Sequence, residues 1–234
     1  MNNNGLIGYT GFIGSLCRSM FTFNKIYNRS NLADIAQTEF DLLICAAPTG
    51  SRLAVQNDPT NDLDNILTLI SHIKETKSKH FILISTIDVL AKSDSAYGSN
   101  RKFLEDWVKS NLENYSILRL PTLIHPDIKK NILYDLKHSQ WLEKLNPTTT
   151  VQYYDLTNLK TDIEYAITHD LKESNLFSEP IQNQEIVDRF FPNTILGAVA
   201  LPAQAYNFYP QQFTKEEIFR SMEKYFNEVP LHLW

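Results

Sequence analysis

Gly8, Gly11 and Gly14 stand three residues apart in Gly8-Tyr-Thr-Gly-Phe-Ile-Gly14, directly after the apolar pair Leu6-Ile7 and ahead of a helix-like run of Phe12, Ile13, Leu16 and Met20. Glycines at this spacing suit a strand-to-helix turn that bends tightly, admits a phosphate to the backbone and lets the helix sit close to the sheet. Amides opening that helix point at an anion, and the helix dipole favours negative charge there. Gly8, Tyr9, Thr10, Gly11, Phe12, Ile13 and Gly14 therefore read as a cradle for the diphosphate of a dinucleotide. A second set comprises Thr86, Tyr97 and Arg101. A phenol with a pKa near ~10 is a poor acid–base group until a nearby cation stabilises its phenolate. Arg101, four residues beyond Tyr97 and on the same helical face, can supply that cation, and Thr86 can hold a substrate hydroxyl or carbonyl beside the phenol. Each has a plain structural reading as well: a half-buried turn residue, a surface cation and a strand-end residue.

The elements that must position these residues follow from periodicity. Lys25-Ile-Tyr27 reads as a second strand ending at Asn28-Arg29-Ser30. In dinucleotide folds this strand end, about 20 residues past the first glycine, meets the adenosine ribose. A carboxylate there would bond a 2′-hydroxyl and repel a 2′-phosphate; Asn28 with Arg29 beside it suits a phosphate, so NADP is expected and NAD is the alternative. A solvated loop arginine is the competing reading. Asp41 to Cys45 is a continuous apolar run that reads as a buried parallel strand, ending in the small residues Ala46, Ala47 and Pro48, which leave room for a ligand. A helical period runs from Asp62 to about Glu75, with Lys74, Lys77 and Lys79 at its end as a solvated face. Phe81 to Ile84 is the next buried strand. The polar segment Ser93 to Asn100 leads into a helix that opens at Tyr97, with Phe103, Leu104, Trp107 and Val108 as its buried stripe. Strand Tyr115 to Arg119 follows, then Leu120-Pro121. Beyond it, Asn131 to Leu145 reads as a helix, Val151 to Tyr154 and Leu176-Phe177 as short strands, Leu159 to Ile167 and Gln184 to Phe191 as helices. Thr214-Lys-Glu-Glu217 is a capping box opening a last helix. The alternation predicts an α/β, Rossmann-like doubly wound parallel sheet. The expected organisation is a dinucleotide-binding core over residues 1–125 and a small C-terminal substrate-side region over 126–234, packed on it as one compact domain.

Bulk properties narrow the class. In 234 residues, 43% hydrophobic and 21% charged residues are ordinary for a soluble globular protein. A net charge of −5 offers no basic excess for a nucleic acid. Cys17 and Cys45 lie in apolar segments and suggest no disulfide framework. The start shows no secretory signal, and the apolar segment Ile195 to Pro202 is too short to cross a bilayer. A cytoplasmic protein without a membrane partner is expected. The six histidines lack metal-ligand spacing, so no metal is expected.

At these residues the chain resembles the extended short-chain dehydrogenase/reductase family, the NAD(P)-dependent nucleotide-sugar epimerases, dehydratases and reductases. Gly8-Tyr-Thr-Gly-Phe-Ile-Gly14 matches its cofactor turn, Ile84-Ser-Thr-Ile-Asp-Val89 the strand bearing its catalytic Ser/Thr, and Tyr97-Gly-Ser-Asn-Arg101 its Tyr-x-x-x-Lys. Leu118-Arg-Leu-Pro121 is similar to the strand leading to its nicotinamide and substrate loop. The resemblance spans roughly residues 4 to 130 and implies hydride transfer at a sugar carbon, nucleotide-linked, with Tyr97 as proton donor or acceptor and Thr86 as its partner. It also implies a tyrosine helix of a kind that family members often pair in a homodimer. Two departures stand out: Arg101 replaces the lysine and cannot relay a proton as lysine does, and the C-terminal lobe is small. The arginine keeps open a second reading, an NADP-binding sensor or regulatory protein with weakened catalysis. The small lobe keeps open a third, an enzyme of a non-sugar carbonyl. Lys129 and Lys130 read as diphosphate contacts or surface charges, and His125 as a pocket or plain loop residue.

Overall fold

The structure, a computed structural model, describes residues 3–91, 95–197, 208 and 210–227. The first part of the polar segment before Tyr97 and residues 198–202 of the late apolar segment lie outside them. The chain divides into two compact units, Met1–Arg119 with Lys160–Ser174, and Leu120–Leu159 with Asn175–Trp234. This differs from a break at residue 125 in a single compact domain. The reason is that residues 160–174 leave the C-terminal part and return to complete the first unit.

The first unit is built on β1 (Asn4–Ile7), α1 (Phe12–Met20), β2 (Lys25–Tyr27), β3 (Glu39–Cys45), α2 (Arg52–Asn57), α3 (Pro59–Ile73), β4 (Lys77–Thr86), α4 (Ala96–Asn111) and β5 (Tyr115–Leu120). β1 pairs in parallel with both β2 and β3, and β3 in parallel with β4. The helix α6 (Leu159–Thr168) and strand β9 (Glu173–Asn175) close the unit, giving a six-stranded sheet in the order β2-β1-β3-β4-β5-β9. This is the expected doubly wound α/β sheet, whose strand order reverses beside β1. Its core joins Ile7, Leu43, Cys45, Phe81, Leu83 and Ile117 of the strands to Ile66, Leu69 and Ile73 of α3 and to Leu104 and Val108 of α4.

Several element boundaries moved. Lys77 and Lys79 do not end α3 but open β4, since Lys77 is in register with Glu39; both are exposed, and Lys79 bridges to Asp41 at 2.7 Å. On α4, Phe103 is exposed, and the buried face runs through Gly98, Arg101, Leu104, Glu105 and Val108. Two charged side chains therefore occupy positions of an otherwise apolar stripe.

The second unit carries β6 (Thr122–Ile124), α5 (Ile132–Lys137), β7 (Thr150–Val151), β8 (Tyr153–Asp155), β10 (Ile181–Gln182), α7 (Asn183–Phe190) and α8 (Lys215–Asn227). β6 pairs in parallel with β8, and β7 antiparallel with β10. The helix expected over Asn131 to Leu145 stops at Lys137, because Ser139 and Trp141 adopt positive φ. The strand expected at Leu176-Phe177 is displaced to Glu173–Asn175. The capping box at Thr214 forms: Glu217 accepts from the Thr214 amide at 2.8 Å, and Thr214 Oγ1 accepts from the Glu217 amide at 3.3 Å. A core of Ile124, Leu133, Tyr153, Ile186, Met222 and Tyr225 fills this unit.

Candidate active site

The glycine turn forms as its spacing demands, with each glycine doing something different. Gly8 has φ +91°, and a Cβ there would lie 2.6 Å from the Ala46 carbonyl, so the turn is pinned against the end of β3. A Cβ on Gly14 would run into the Gly8 carbonyl, which is how α1 reaches the turn closely. Gly11 is different. It is the exposed N-cap of α1, and a Cβ would meet the Gly8 carbonyl oxygen only at 3.4 Å. The N-cap of α1, Gly11, makes no side-chain cap bond, and the first turn of the helix carries no acidic residue. A helix start of this kind, held against a strand end by two glycines, fits the diphosphate of a dinucleotide. Gly8, Tyr9, Thr10, Gly11, Phe12, Ile13 and Gly14 are the residues that would hold it.

The end of β2 lies beside this turn. Asn28 Nδ2 donates to the Tyr9 hydroxyl at 3.0 Å, while Asn28 Oδ1 accepts from the Ser30 amide at 2.8 Å and hydroxyl at 2.6 Å. Asn28 is thus occupied in shaping the turn. Arg29 is exposed and forms no ion pair among the described residues. Ala46 is held by its amide to the Ile7 carbonyl at 2.9 Å, with Ala47 exposed and Pro48 half-buried after it. Pro121 is buried in the second unit, just ahead of β6. In that unit Lys129 and Lys130 are exposed and His125 is half-buried.

Thr86, Tyr97 and Arg101 come together in the first unit at the carboxyl end of β4. Side chains alternate along a strand, so Ser85 and Thr86 part company. Ser85 Oγ donates to the buried Glu105 of α4 at 2.6 Å, and Glu105 takes a forked bond from Arg119 of β5 at 2.6–3.1 Å. Thr86 Oγ1 instead donates to Asp88 Oδ2 at 2.8 Å and accepts the Asp88 amide at 3.3 Å, capping the short 3-10 turn Ile87–Leu90. α4 starts beside that turn because Gly98 lacks a side chain: a Cβ would sit 2.7 Å from the Asp88 carbonyl oxygen. Ser95 caps α4 by accepting from the Gly98 amide at 3.2 Å.

Arg101 is not a surface cation. It is 3% exposed, forks onto Asp62 of α3 with nitrogens at 2.8 and 3.0 Å, and donates to the Thr49 carbonyl at 2.7 Å. Asn100 adds a bond to the same carboxylate at 2.9 Å. Burial pushes the Asp62 pKa up, but the bonds and charge of Arg101 with Asn100 outweigh it and hold the carboxyl below its ordinary value. The Arg101 guanidinium lies 4.7 Å from the Tyr97 ring centroid, over its face.

A second guanidinium, absent from the sequence reading, lies 5.9 Å from the same ring. It belongs to Arg52 at the start of α2, half exposed and bound to Asp88 Oδ2 at 3.0 and 2.7 Å. Burial raises the Tyr97 pKa above its ordinary value and Asp88 adds to this; the charges of Arg101 and Arg52 and the hydrogen bond with Thr86 pull the other way without cancelling it. The phenol therefore stays protonated more firmly than an isolated cation beside it implies. Asp62, Arg52 and Asp88 escaped sequence reasoning. Only Asp88 had a local signal, its place two residues after Thr86.

Among the described residues no group of three His, Cys, Asp or Glu is placed to hold a metal, and no helix is long and apolar enough to cross a membrane. Cys17 and Cys45 are free and buried, which pushes both thiols up to about 12.

The Rossmann-like doubly wound fold is shared with solved epimerases, dehydratases and reductases. In particular, the chain is similar to RMD from Pseudomonas aeruginosa, solved with NADPH, at 13% identity and a TM-score of 0.71 over 97% of this chain and 98% of that one. It is similar to the UDP-N-acetylglucosamine 4-epimerase of Methanobrevibacter ruminantium at 13% identity and a TM-score of 0.70, covering 98% and 93%. The dTDP-4-dehydrorhamnose reductase of Yersinia enterocolitica follows at 12% identity and a TM-score of 0.62, covering 80% of each chain. No family model matches the sequence, and no curated protein matches it.

Proposed function

We propose that the chain is an NADP-dependent oxidoreductase or epimerase acting on a sugar, most simply a nucleotide-linked one, with NAD as the alternative cofactor. The observation that carries this reading is the pairing of a glycine turn that opens α1 with Thr86 and Tyr97 at the carboxyl end of β4, where open parallel sheets bind ligands. Solved chains of the same fold include one holding NADPH and others that act on nucleotide-sugars. The bound cofactor would supply or accept a hydride. Residues 8–14 would hold its diphosphate and Arg29 a 2′-phosphate. Thr86 would orient the reacting oxygen, and Tyr97 would move its proton. Arg101 has a narrower role than the family lysine. Its charge is matched by Asp62, so it supports the Tyr97 ring from beneath and leaves the proton to the phenol.

The Arg101–Asp62 pair also favours the second reading, a protein that keeps NADP and has lost turnover as a sensor or regulatory subunit. Fluorescence titration with NADPH and NADH tests the cofactor, and tighter NADH binding would overturn the NADP choice. A panel of nucleotide-sugars, followed both by NADPH consumption and by product analysis, separates enzyme from sensor. With a turned-over sugar in hand, Tyr97→Phe is expected to abolish the chemical step and leave NADPH affinity intact; full activity would remove Tyr97 from the mechanism.

A further inference from the structure

Around Tyr97 the charges come in opposed pairs. Arg101 is forked onto Asp62, and Arg52 is bound to Asp88. Thr86 lies between Asp88 and the phenol. Its hydroxyl has one proton, and that proton is directed at Asp88 Oδ2 across 2.8 Å, while the oxygen also accepts the Asp88 amide. A hydroxyl engaged in this way keeps one lone pair. It can accept from a protonated phenol, but it can donate to a phenolate only by releasing Asp88.

We propose that Asp88, steadied by Arg52, is a positioning residue that keeps Tyr97 in its proton-donating form, so that the site is built to reduce a carbonyl and not to oxidise an alcohol. The proposal rests on the oxidoreductase form of the functional reading above, in which Tyr97 moves the proton of the reacting oxygen. In the reduction, the O–H bond of Tyr97 breaks and its proton goes to the carbonyl oxygen. The π pair of the C=O bond becomes the new O–H bond. The carbonyl carbon gains its C–H bond and electron pair as the hydride of the reduced nicotinamide cofactor, which is thereby oxidised, and Tyr97 recovers a proton from water. The reverse direction needs Tyr97 ionised first. Burial and the Asp88 charge oppose that ionisation. Thr86 favours it only by turning its proton away from Asp88, and the two guanidiniums that favour it are each matched by a carboxylate. Arg52 and Asp88 differ in exposure, 50% against 5%, so the carboxylate is the fixed partner of the pair.

The test reads the phenol itself and needs no substrate. The full chain, its 11 tyrosines carrying a ¹³Cζ label, is titrated by NMR with Tyr97→Phe assigning the resonance. Wild-type Tyr97 is expected to titrate above the ordinary phenol value of about 10. Asp88→Asn should lower that midpoint by about one unit, the scale of one nearby charge. Arg52→Gln, a change at a half-exposed side chain that keeps the test available where Asp88→Asn fails to fold, should raise it. A midpoint unmoved by Asp88→Asn, or lowered by Arg52→Gln, overturns the role of Asp88. NADPH binding by the same samples keeps the two readings apart. A wild-type chain that shifts as stated but binds no NADPH removes the functional reading, and the carbonyl with it, while the positioning of Tyr97 by Asp88 stands.

Discussion

Asp62 holds both terminal nitrogens of Arg101, at 2.8 and 3.0 Å, so the guanidinium beneath the Tyr97 ring is already paired within the protein. The pair joins α3 to α4 with both side chains all but closed to solvent, 6% and 3% exposed. Four residues beyond Tyr97 on α4, this chain therefore has a structural tie between two helices.

Removing one partner of such a pair leaves a buried charge unmatched, which costs roughly 3–5 kcal/mol. Asp62→Asn is therefore expected to lower stability by about that amount in urea unfolding, and Arg101→Lys, which cannot fork, by about 1.5–3 kcal/mol for the charged hydrogen bond lost. A fully stable Arg101→Lys chain would show that the fork is dispensable.

The same pair sets an acid-side dependence. The Asp62 pKa is depressed in the folded chain below its ordinary value of 3.8. A depressed carboxylate contributes stability that is complete above the unfolded value and is lost as pH falls through the folded one. Wild type should lose stability below about pH 4, and Asp62→Asn should lose less over that interval. Parallel pH profiles of the two chains in urea would contradict this.

The three glycines of the turn should separate into two kinds. Gly8→Ala and Gly14→Ala each drive a Cβ into backbone and should destabilise the fold by about 1–3 kcal/mol or more. Gly11→Ala has room, and its N-cap backbone is extended, so stability should change by no more than about 0.5 kcal/mol. NADPH affinity should still fall in Gly11→Ala, because the new methyl stands on the exposed side of the turn. Melting curves and NADPH titration of the three variants decide it.

Arg29 is exposed at the end of β2 and forms no ion pair among the described residues. If it meets the 2′-phosphate, Arg29→Ala removes a charge-assisted bond of about 1.5–3 kcal/mol, which is roughly 10- to 100-fold in NADPH affinity. NADH affinity should hardly change. Equal losses for both cofactors would remove Arg29 from the phosphate site.

Inside the sheet, Glu105 gathers Ser85 and Arg119, and Arg119 reaches on to Glu173 of β9. Glu105→Gln should cost roughly 3–5 kcal/mol by leaving Arg119 short of its buried counter-charge. It should also loosen β9, seen as faster amide exchange over residues 173–175. A local effect confined to α4 would argue against one continuous network.

Much of this protein was determined by local patterns. The glycine spacing, the apolar strands that end at small residues, the helical periods of α3, α6 and α8, and the capping box at Thr214 all act within a few residues, through positive φ, side-chain alternation and the satisfaction of orphan amides. Even the juxtaposition of Thr86 with Tyr97 follows from a strand end and the helix after it. The tertiary structure alone decided which charges meet. Arg101 finds Asp62 across 39 residues, Arg52 finds Asp88 across 36, and residues 160–174 return to supply the sixth strand. A charged residue in a sequence shows that a partner is needed once it is buried, but the partner is chosen by which helix packs beside it, and that is a property of the assembled sheet.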